Sequence, residues 1–345
     1  MASTGWLATA MCNREPASTM GEFDLIQRYF KRPVRRAALG VGDDCALLQP
    51  EPGRQIAVST DMLVQGRHFF AETDPFRLGH KALAVNLSDL AACGAQPLAF
   101  TLALALPQAD AGWLEPFARG LLALADQHGC ELVGGDTTQG PLTICITVFG
   151  TVPVVDGKSL ALLRSGARAG DDIYVSGTLG DARLALGALR GEWRLPPALA
   201  ATARARLETP LPRIALGLAL RGVASSAIDV SDGLLGDLGH VLAASAVGAM
   251  IDVALARTLI ACGGPELDAA MPPDAVLACV LAGGDDYELA FTAPPGARAA
   301  VAAAARAAAT RVTRIGQVQG APGLRLVDAQ GAPVANHYRS FDHFA

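Results

Sequence analysis

The chain of 345 residues is long enough for two domains of ordinary size, each with its own hydrophobic core. Apolar residues make up 51% of it and charged residues 18%, which is typical of a globular protein and argues against disorder. A net charge of −5 without any Lys/Arg-rich run argues against nucleic-acid binding, and no apolar run approaches the ~20 residues that span a bilayer.

The first residues and the cysteines indicate the cellular setting. Residues 1–19 lack the basic start and apolar core of a signal peptide, so we interpret them as a weakly structured extension before Met20. The seven cysteines are scattered without C-x-x-C or histidine-paired spacing. This pattern favours small buried side chains in a reducing compartment, and we expect a cytoplasmic protein without a membrane partner.

The first half of the chain, residues 20–152, alternates helical and strand patterns. Its predicted elements are a helix from Gly21 to Phe30, strand-like residues Leu39–Leu48 around Asp43 and Asp44, a strand Ile56–Val64, helices Asp74–Gly94 and Pro107–Gly129, and a strand pair Leu132–Thr138 and Leu142–Phe149 joined by the turn Gln139–Pro141.

The helix that begins near Asp74 carries the clearest local signals. Asp74 and Pro75 suit the N-cap and first helical positions, and Gly94 suits the position just beyond the helix end. Asp89 shares a face with Val85 by helical spacing. It lies close to the negative end of the helix dipole, where a carboxylate is disfavoured by ~0.3–1 kcal/mol unless a cation lies nearby.

A boundary is expected at residues 150–160, so that residues 153–345 form a second domain. Its predicted elements are a strand Asp172–Ser176, a helix ending at Leu189, a proline-punctuated stretch Pro196–Pro212, a helix Arg213–Leu220, a strand Ala227–Val230, a helix Leu234–Ala244, a strand Met250–Val253, an Asp-containing segment Gly283–Thr292, an Ala-rich helix Arg298–Ala309, and strands Thr313–Val318 and Leu324–Val327. Alternation of this kind predicts an α/β layer structure.

The stretch Asp229–Gly233 is the most informative motif of the second half. A short strand breaks there into a small-residue turn before a helix, and such a junction points free backbone N–H groups at a bound anion. Asp229 and Asp232 place two carboxylates at the same point. An anion site and an acid pair are compatible when cations lie between them, so we interpret the motif as a site for metal-bridged phosphate.

Aspartates recur in small-residue turns at strand ends. Each one alone is ordinary turn chemistry, but the repetition favours a shared ligand set. The members are Asp43, Asp44, Asp61, Asp136, Asp229, Asp232, Asp285 and Asp286. Hard oxygen ligands without His or Cys partners suit Mg²⁺ and do not suit zinc. His68 is the histidine close enough in sequence to reach a substrate, and no G-x-S-x-G motif supports a serine hydrolase.

Several motifs together resemble the thiamine-monophosphate kinase family, in the same order from Gly21 to the C-terminus. They are Gly42–Ala46, Ser59–Asp61, Lys81–Ala92, Gly134–Thr137, Arg164–Gly166, Asp229–Gly233, Gly283–Leu289 and Tyr338–Phe344. The resemblance implies an ATP- and Mg²⁺-dependent kinase that converts thiamine phosphate to thiamine diphosphate. It also implies a homodimer in which the N-terminal mixed sheets pair, each chain carrying a C-terminal α/β sandwich.

The resemblance also implies roles for individual residues. The metal ligands would be Asp44, Ser59, Thr60, Asp61, Asp89, Asp136, Asp229 and Asp232. ATP would contact Gly135, Arg164 and Ser231, and thiamine phosphate would contact His68, Asp285 and Phe341, with Asp232 and Arg164 most directly involved in catalysis. Asp285 replaces the commoner Glu of the family, and Phe341 lacks the hydroxyl of a tyrosine.

The implied chemistry needs charge screening more than proton transfer. A phosphate monoester has its second pKa near ~6, so its oxygen is already anionic at neutral pH and no general base is required. Magnesium ions and Arg164 would screen two like-charged phosphates for direct in-line transfer. Two alternatives stay open: a selenophosphate or aminoimidazole ribonucleotide synthetase of the same superfamily, and a nucleotide-binding regulator without turnover.

Overall fold

The computed structural model describes residues 21–42 and 44–341. The expected N-terminal extension, Asp43 and the last residues of the C-terminal motif lie outside this part of the chain. The predicted helix after Gly21 is present as a helix Glu22–Leu25 that continues as a π-helix Ile26–Phe30. No helix in residues 21–42 and 44–341 is both long and apolar enough to cross a bilayer.

The N-terminal domain is a mixed sheet covered by two long helices. Its elements are β1 (Arg54–Val64), α2 (Pro75–Ala92), β2 (Gln96–Leu106), α3 (Ala111–His128), β3 (Glu131–Gln139), β4 (Thr143–Val155) and β5 (Lys158–Ser159), after α1 (Glu22–Leu25). The strand order is β1-β4-β2-β3, with β5 beside β4. Pairing is antiparallel except between β2 and β3, which run parallel with α3 as their crossover.

The predicted hairpin between residues 132 and 149 is wrong, because β3 and β4 do not pair. Between them runs β2, a strand that the sequence patterns missed. Most of β2 is buried, so its residues form a nearly continuous apolar run instead of the alternation that marks a half-exposed strand. In place of the strand-like residues expected at Leu39–Leu48, the described residues have an isolated bridge between Leu39 and Leu47.

The C-terminal domain is a seven-stranded mixed sheet with the order β12-β11-β8-β10-β6-β9-β7. Its elements are β6 (Asp172–Ser176), α4 (Asp181–Leu189), α5 (Pro197–Glu208), α6 (Ile214–Ala219), β7 (Ser226–Val230), α7 (Leu234–Ser245), β8 (Gly248–Asp252), α8 (Val253–Arg257), α9 (Pro265–Ala270), α10 (Pro273–Ala282), β9 (Glu288–Ala293), α11 (Arg298–Ala307), β10 (Val312–Gln319), β11 (Gly323–Val327) and β12 (Pro333–Val334). The proline-punctuated stretch contains α5, because Pro197 occupies the first helical turn, where a missing N–H has no cost.

Two glycine contacts hold α2 against its neighbours. Gly79 of α2 lies so close to α3 that an added Cβ would stand 2.1 Å from the Phe117 carbonyl oxygen. Gly217 of α6 approaches α2 equally closely, since its Cβ would stand 2.1 Å from the Ala91 carbonyl oxygen. Helix α2 therefore packs against α3 of its own domain and against α6 of the C-terminal domain. The apolar core around α2 continues into the C-terminal domain as far as Phe291 of β9.

Candidate active site

A cleft of about 820 Å³ lies between the two domains. On one side it is lined by the end of β1, the loop that follows it and α2. On the other side it is lined by α4, the end of α5, the turns after β7 and before β9, and Arg339 and Phe341. Residues from both halves of the chain therefore face the same space.

Four aspartates predicted as metal ligands line this cleft: Asp61 of β1, Asp89 of α2, Asp229 of β7 and Asp232 in the turn that follows. Oxygen-only donors from both domains meet here, as the sequence analysis predicted. Such a donor set is the one that Mg²⁺ prefers in proteins.

Serine hydroxyl groups orient two of these carboxylates. Ser59 Oγ donates a hydrogen bond to Asp89 Oδ2 at 2.5 Å, which joins β1 to α2. Ser88 Oγ, also on α2, donates to Asp229 Oδ2 at 2.7 Å across the domain boundary. One helix thus fixes acids of both domains.

Burial and mutual repulsion disfavour the ionised form of these acids. Burial, followed by the charges of Asp89 and Asp232, raises the pKa of Asp61 to about 7. Burial, followed by the charge of Asp89, raises the pKa of Asp229 to about 8. Burial also raises the pKa of Asp89, against the Ser59 hydrogen bond and the charge of Arg164. A divalent cation among these carboxylates would relieve the repulsion, so the residues present fit Mg²⁺.

The cleft carboxylates do not form a closed metal-binding cage by themselves. Within the described ranges, no three His, Cys, Asp or Glu side chains converge closely enough to hold an ion by themselves. Mg²⁺ commonly keeps water ligands and completes its shell with substrate phosphate. The arrangement therefore suits ions that are shared between protein and phosphate.

The turn after β7 does not offer free amides to an anion, and that prediction is wrong. The N–H groups of Ser231, Asp232 and Gly233 all donate to Asp237 Oδ2, at 3.1, 3.0 and 3.1 Å. Asp237 lies in the first turn of α7 and caps the helix from inside. The sequence signal for this role was an acid in the first turn, where orphan N–H groups attract one.

The turn before β9 is attached to the turn after β7. The Asp285 N–H donates to the Ser231 carbonyl at 2.6 Å, and the Tyr287 N–H donates to the Val230 carbonyl at 2.9 Å. Lys81 of α2 reaches across the cleft, with its Nζ 2.6 Å from Asp285 Oδ2. Lys81 had no predicted role, although its helical spacing from Val85 and Asp89 placed it on the same face.

The loop after β1 and the C-terminal segment meet at the cleft mouth. The Val64 N–H donates to His68 Nδ1 at 3.0 Å, which leaves the Nε2 atom as the protonated nitrogen of the neutral ring. The Phe341 N–H donates to the Asp232 carbonyl at 3.0 Å. The Arg67 guanidinium lies 4.9 Å from the centre of the Phe341 ring, within cation–π range.

The structure separates some predicted residues from the cleft acids. Thr60 borders the cleft, but its hydroxyl shares a 2.9 Å hydrogen bond with that of Thr147, its cross-strand partner on β4. Both hydroxyls lie on the face of the sheet opposite to Asp61. Gly135 and Asp136 line a separate pocket of about 40 Å³ on β3. Asp44 and Arg164 do not line the cleft, although the charge of Arg164 acts on Asp89.

Comparisons with known proteins agree with this architecture. The sequence model of the AIR synthase related protein N-terminal domain matches residues 42–152, and that of the C-terminal domain matches residues 168–329. The chain is 45% identical to thiamine-monophosphate kinase of Escherichia coli K12, over 94% of this chain and 98% of that protein.

Solved structures are similar over most of the chain. Thiamine-monophosphate kinase from Stenotrophomonas maltophilia K279a has a TM-score of 0.78 at 45% identity, covering 87% of this chain and 92% of that one. AaThiL complexed with AMPPCP and TMP has a TM-score of 0.71 at 28% identity, covering 86% of this chain and 89% of that one. The two-domain mixed α/β architecture predicted from the sequence is thereby confirmed.

Proposed function

The chain belongs to the thiamine-monophosphate kinase family, and from this premise we propose that it transfers the γ-phosphoryl group of ATP to thiamine phosphate to form thiamine diphosphate. The observation that carries the proposal is the 45% identity to the Escherichia coli enzyme over nearly the whole length of both chains. The AaThiL complex adds support, because AMPPCP is an ATP analogue and TMP is the phosphate acceptor.

We propose that Asp61, Asp89, Asp229 and Asp232 hold Mg²⁺ at the cleft, since they combine oxygen donors with unrelieved repulsion. Bound Mg²⁺ would screen the negative charge that two phosphate groups bring together. Ser59 and Ser88 keep two of these carboxylates aimed at the cleft. Asp44, Ser59, Thr60 and Asp136 stay predictions as further metal ligands.

The proposed reaction does not require a general base from the protein. The acceptor phosphate is ionised at neutral pH, so the residues need to position two anions in line and to exclude a competing water. We propose Asp232 at the reacting end, with Arg164 adding positive charge. Gly135 and Ser231 remain the proposed ATP contacts.

We propose that the organic part of thiamine phosphate lies at the end of the cleft that His68, Asp285 and Phe341 line. Phe341 offers an aromatic face, and Asp285 offers a partly exposed carboxylate. These groups suit a cationic heteroaromatic ligand.

We also propose a cytoplasmic homodimer in which the N-terminal sheets of two subunits pair. The support is β1, an edge strand whose outer face carries the exposed apolar side chains of Ile56, Val58 and Met62. An exposed apolar edge strand is a common pairing surface. We further propose that the limit between the two domains, predicted at 152/153, lies after β5, because β4 and β5 belong to the N-terminal sheet.

The test is ADP release from ATP and Mg²⁺ with thiamine phosphate as acceptor, with the product separated chromatographically. We expect ADP and thiamine diphosphate in equal amounts, and near-complete loss of turnover in Asp61→Asn and Asp232→Asn with unchanged circular dichroism. Parallel reactions contain selenide or an amidine ribonucleotide. Turnover with one of these and none with thiamine phosphate would overturn the proposal in favour of a synthetase, and nucleotide binding without turnover would indicate a regulator.

A further inference from the structure

We propose that Lys81 is a positioning residue for thiamine phosphate: it holds the Asp285 carboxylate, from the opposite domain, in the orientation that contacts the acceptor. This inference rests on the proposed function. Lys81 lies on α2 of the N-terminal domain, and Asp285 lies in the turn before β9 of the C-terminal domain. Their side chains form an ion pair of 2.6 Å that crosses the cleft.

Burial makes this ion pair strongly dependent on both partners. The Lys81 side chain is only 5% exposed, whereas Asp285 keeps 28% of its side chain exposed in the cleft. A buried ammonium group needs a paired carboxylate, because an isolated charge in the interior is strongly disfavoured. Lys81 is therefore the interior member of the pair, and Asp285 is the member that a ligand can touch.

The main chain at Asp285 is fixed independently of Lys81. Asp285 has φ +64°, and its neighbours Gly284 and Tyr287 have φ +68° and +53°. Residues other than glycine seldom adopt this left-handed conformation, so the turn depends on its surroundings. The hydrogen bonds from the Asp285 and Tyr287 amides to Ser231 and Val230 supply that support. Loss of Lys81 should therefore free the Asp285 side chain from the opposite domain and leave the turn in place.

The surrounding charges explain why the side chain needs a cation. Asp61, Asp229 and Asp232 line the same cleft as Asp285. Without Lys81, the Asp285 carboxylate would have the Tyr287 side chain as a hydrogen-bond partner but no paired cation among these like charges, and would rotate away from them. That rotation takes the carboxylate out of its substrate-contacting position while the metal-binding end keeps its own groups.

The ion pair also couples the two walls of the pocket. Ser88 on the same helix holds Asp229 at 2.7 Å, and Lys81 holds Asp285 about two helical turns earlier. One rigid helix thus sets the phosphate end through Ser88 and the acceptor end through Lys81. The specific consequence is that Lys81 should govern the affinity for thiamine phosphate and leave that for ATP unchanged.

The experiment compares KM for thiamine phosphate, KM for ATP and kcat in Lys81→Met, Lys81→Arg, Asp285→Asn and the double variant Lys81→Met/Asp285→Asn. For Lys81→Met we expect KM for thiamine phosphate to rise by about tenfold or more, because a charge-assisted contact is lost. KM for ATP should change by less than about twofold. Lys81→Arg should restore most of the affinity, and the double variant should be no worse than Asp285→Asn alone.

The matched control is Arg77→Met. Arg77 is also on α2 and also forms an ion pair across the domains, at 2.5 Å to Glu208, which keeps Arg204 as a second partner. We expect KM for thiamine phosphate to be unchanged in this variant. If Lys81→Met folds poorly by circular dichroism, Lys81→Gln takes its place in the same comparison.

Three results would overturn the inference: an unchanged KM for thiamine phosphate in Lys81→Met, equal increases in both KM values, or additive effects in the double variant. Failure of the proposed function is a separate result. It would appear in the wild-type protein as no turnover with thiamine phosphate, and the variants would then be compared with whichever acceptor the wild type uses.

Discussion

Asp237 shows how one side chain can order the turn after β7 from the helix that follows it. Its carboxylate accepts hydrogen bonds from three successive amides, and the middle one belongs to Asp232. Burial raises the pKa of Asp237 to about 6, although the same hydrogen bonds oppose that rise. The residue fixes the backbone that carries Asp232 without lining the cleft itself.

We expect Asp237→Ala to lower the free energy of unfolding by roughly 3 kcal/mol, because three amides lose their acceptor. The kcat value should fall at least tenfold, since Asp232 lies in the released turn. Chemical denaturation and the ADP-release assay measure the two effects. Asp252→Ala is the control, because Asp252 caps the short helix α8 away from the cleft. Asp252→Ala should lower the free energy of unfolding by about 1 kcal/mol and leave kcat unchanged. Equal losses of kcat in both variants would contradict the role of Asp237.

The cleft acids predict a pH dependence of defined sign. Folding raises the pKa of Asp61 from 3.8 to about 7 and that of Asp229 from 3.8 to about 8. The folded, metal-free chain therefore binds these protons more tightly than the unfolded chain does. The associated stability is present below about pH 4 and is lost as the pH rises through 7 to 8.

Magnesium must displace these protons, so its affinity should rise with pH over the same range. We expect up to a tenfold increase per pH unit for each proton displaced. Isothermal titration calorimetry in two buffers of different ionisation enthalpy measures the protons released between pH 6 and 8. Asp61→Asn should release fewer protons than the wild type, and a pH-independent Mg²⁺ affinity would contradict the prediction.

At the scale of elements, α2 was predictable and the order of the strands was not. The capping signals at Asp74, Pro75 and Gly94 are local, and the helix begins and ends where they indicated. Strand pairing depends on residues that are distant in sequence. The β2 strand was missed because it is a nearly continuous apolar run without alternation, and β3 was paired with β4 because a Gly-Pro turn lies between them.

The site shows the same division. Asp61, Asp229 and Asp232 reach one cleft, although the prediction that each lies in a turn is wrong for Asp61 and Asp229, which lie within β1 and β7. Lys81 and Asp237 were missed for their site roles, because a helical lysine usually faces solvent and a first-turn acid usually serves the helix dipole. The packing of one domain against the other shows the partner of Lys81, and the path of the turn after β7 shows those of Asp237.

The crossing of α2 and α3 gives a prediction for packing. An added Cβ at Gly79 or Gly120 would stand about 2 Å from a carbonyl oxygen of the other helix (2.1 Å from that of Phe117 and 1.9 Å from that of Phe76, respectively). We expect Gly79→Ala and Gly120→Ala each to lower stability by about 2 kcal/mol or more, because the helices must separate.

The control for this prediction is Gly239→Ala in α7, where an added Cβ meets no atom within 4 Å. Alanine is a better helix former than glycine, so this variant should gain about 0.5–1 kcal/mol. Thermal and denaturant unfolding of the three variants makes the comparison. Equal effects at Gly79 and Gly239 would show that helix propensity decides the outcome and that the close approach does not.

At the scale of the whole molecule, the proposed dimer depends on the outer face of β1. Val58 is 59% exposed in the single chain, and Met62 lies on the same face. Val58→Lys should convert the dimer to monomers at micromolar concentration, because a charge would be buried in the pairing surface. Light scattering coupled to gel filtration measures the mass. Leu211→Lys, at an exposed apolar residue of the C-terminal domain, is the control and should remain dimeric. A dimeric Val58→Lys protein would contradict this interface.

The strand order also has a consequence for synthesis on the ribosome. Within the N-terminal sheet β1 has β4 as its neighbour, with Arg54 opposite Pro153 and Val64 opposite Thr143. The nascent chain must therefore emerge as far as Val155 before its first strand finds a place, while α2, β2, α3 and β3 are translated in between. Until then the unpaired apolar residues of β1 can contact other nascent chains. The yield of folded protein in a heterologous host should therefore depend on translation speed and on chaperones that bind such segments.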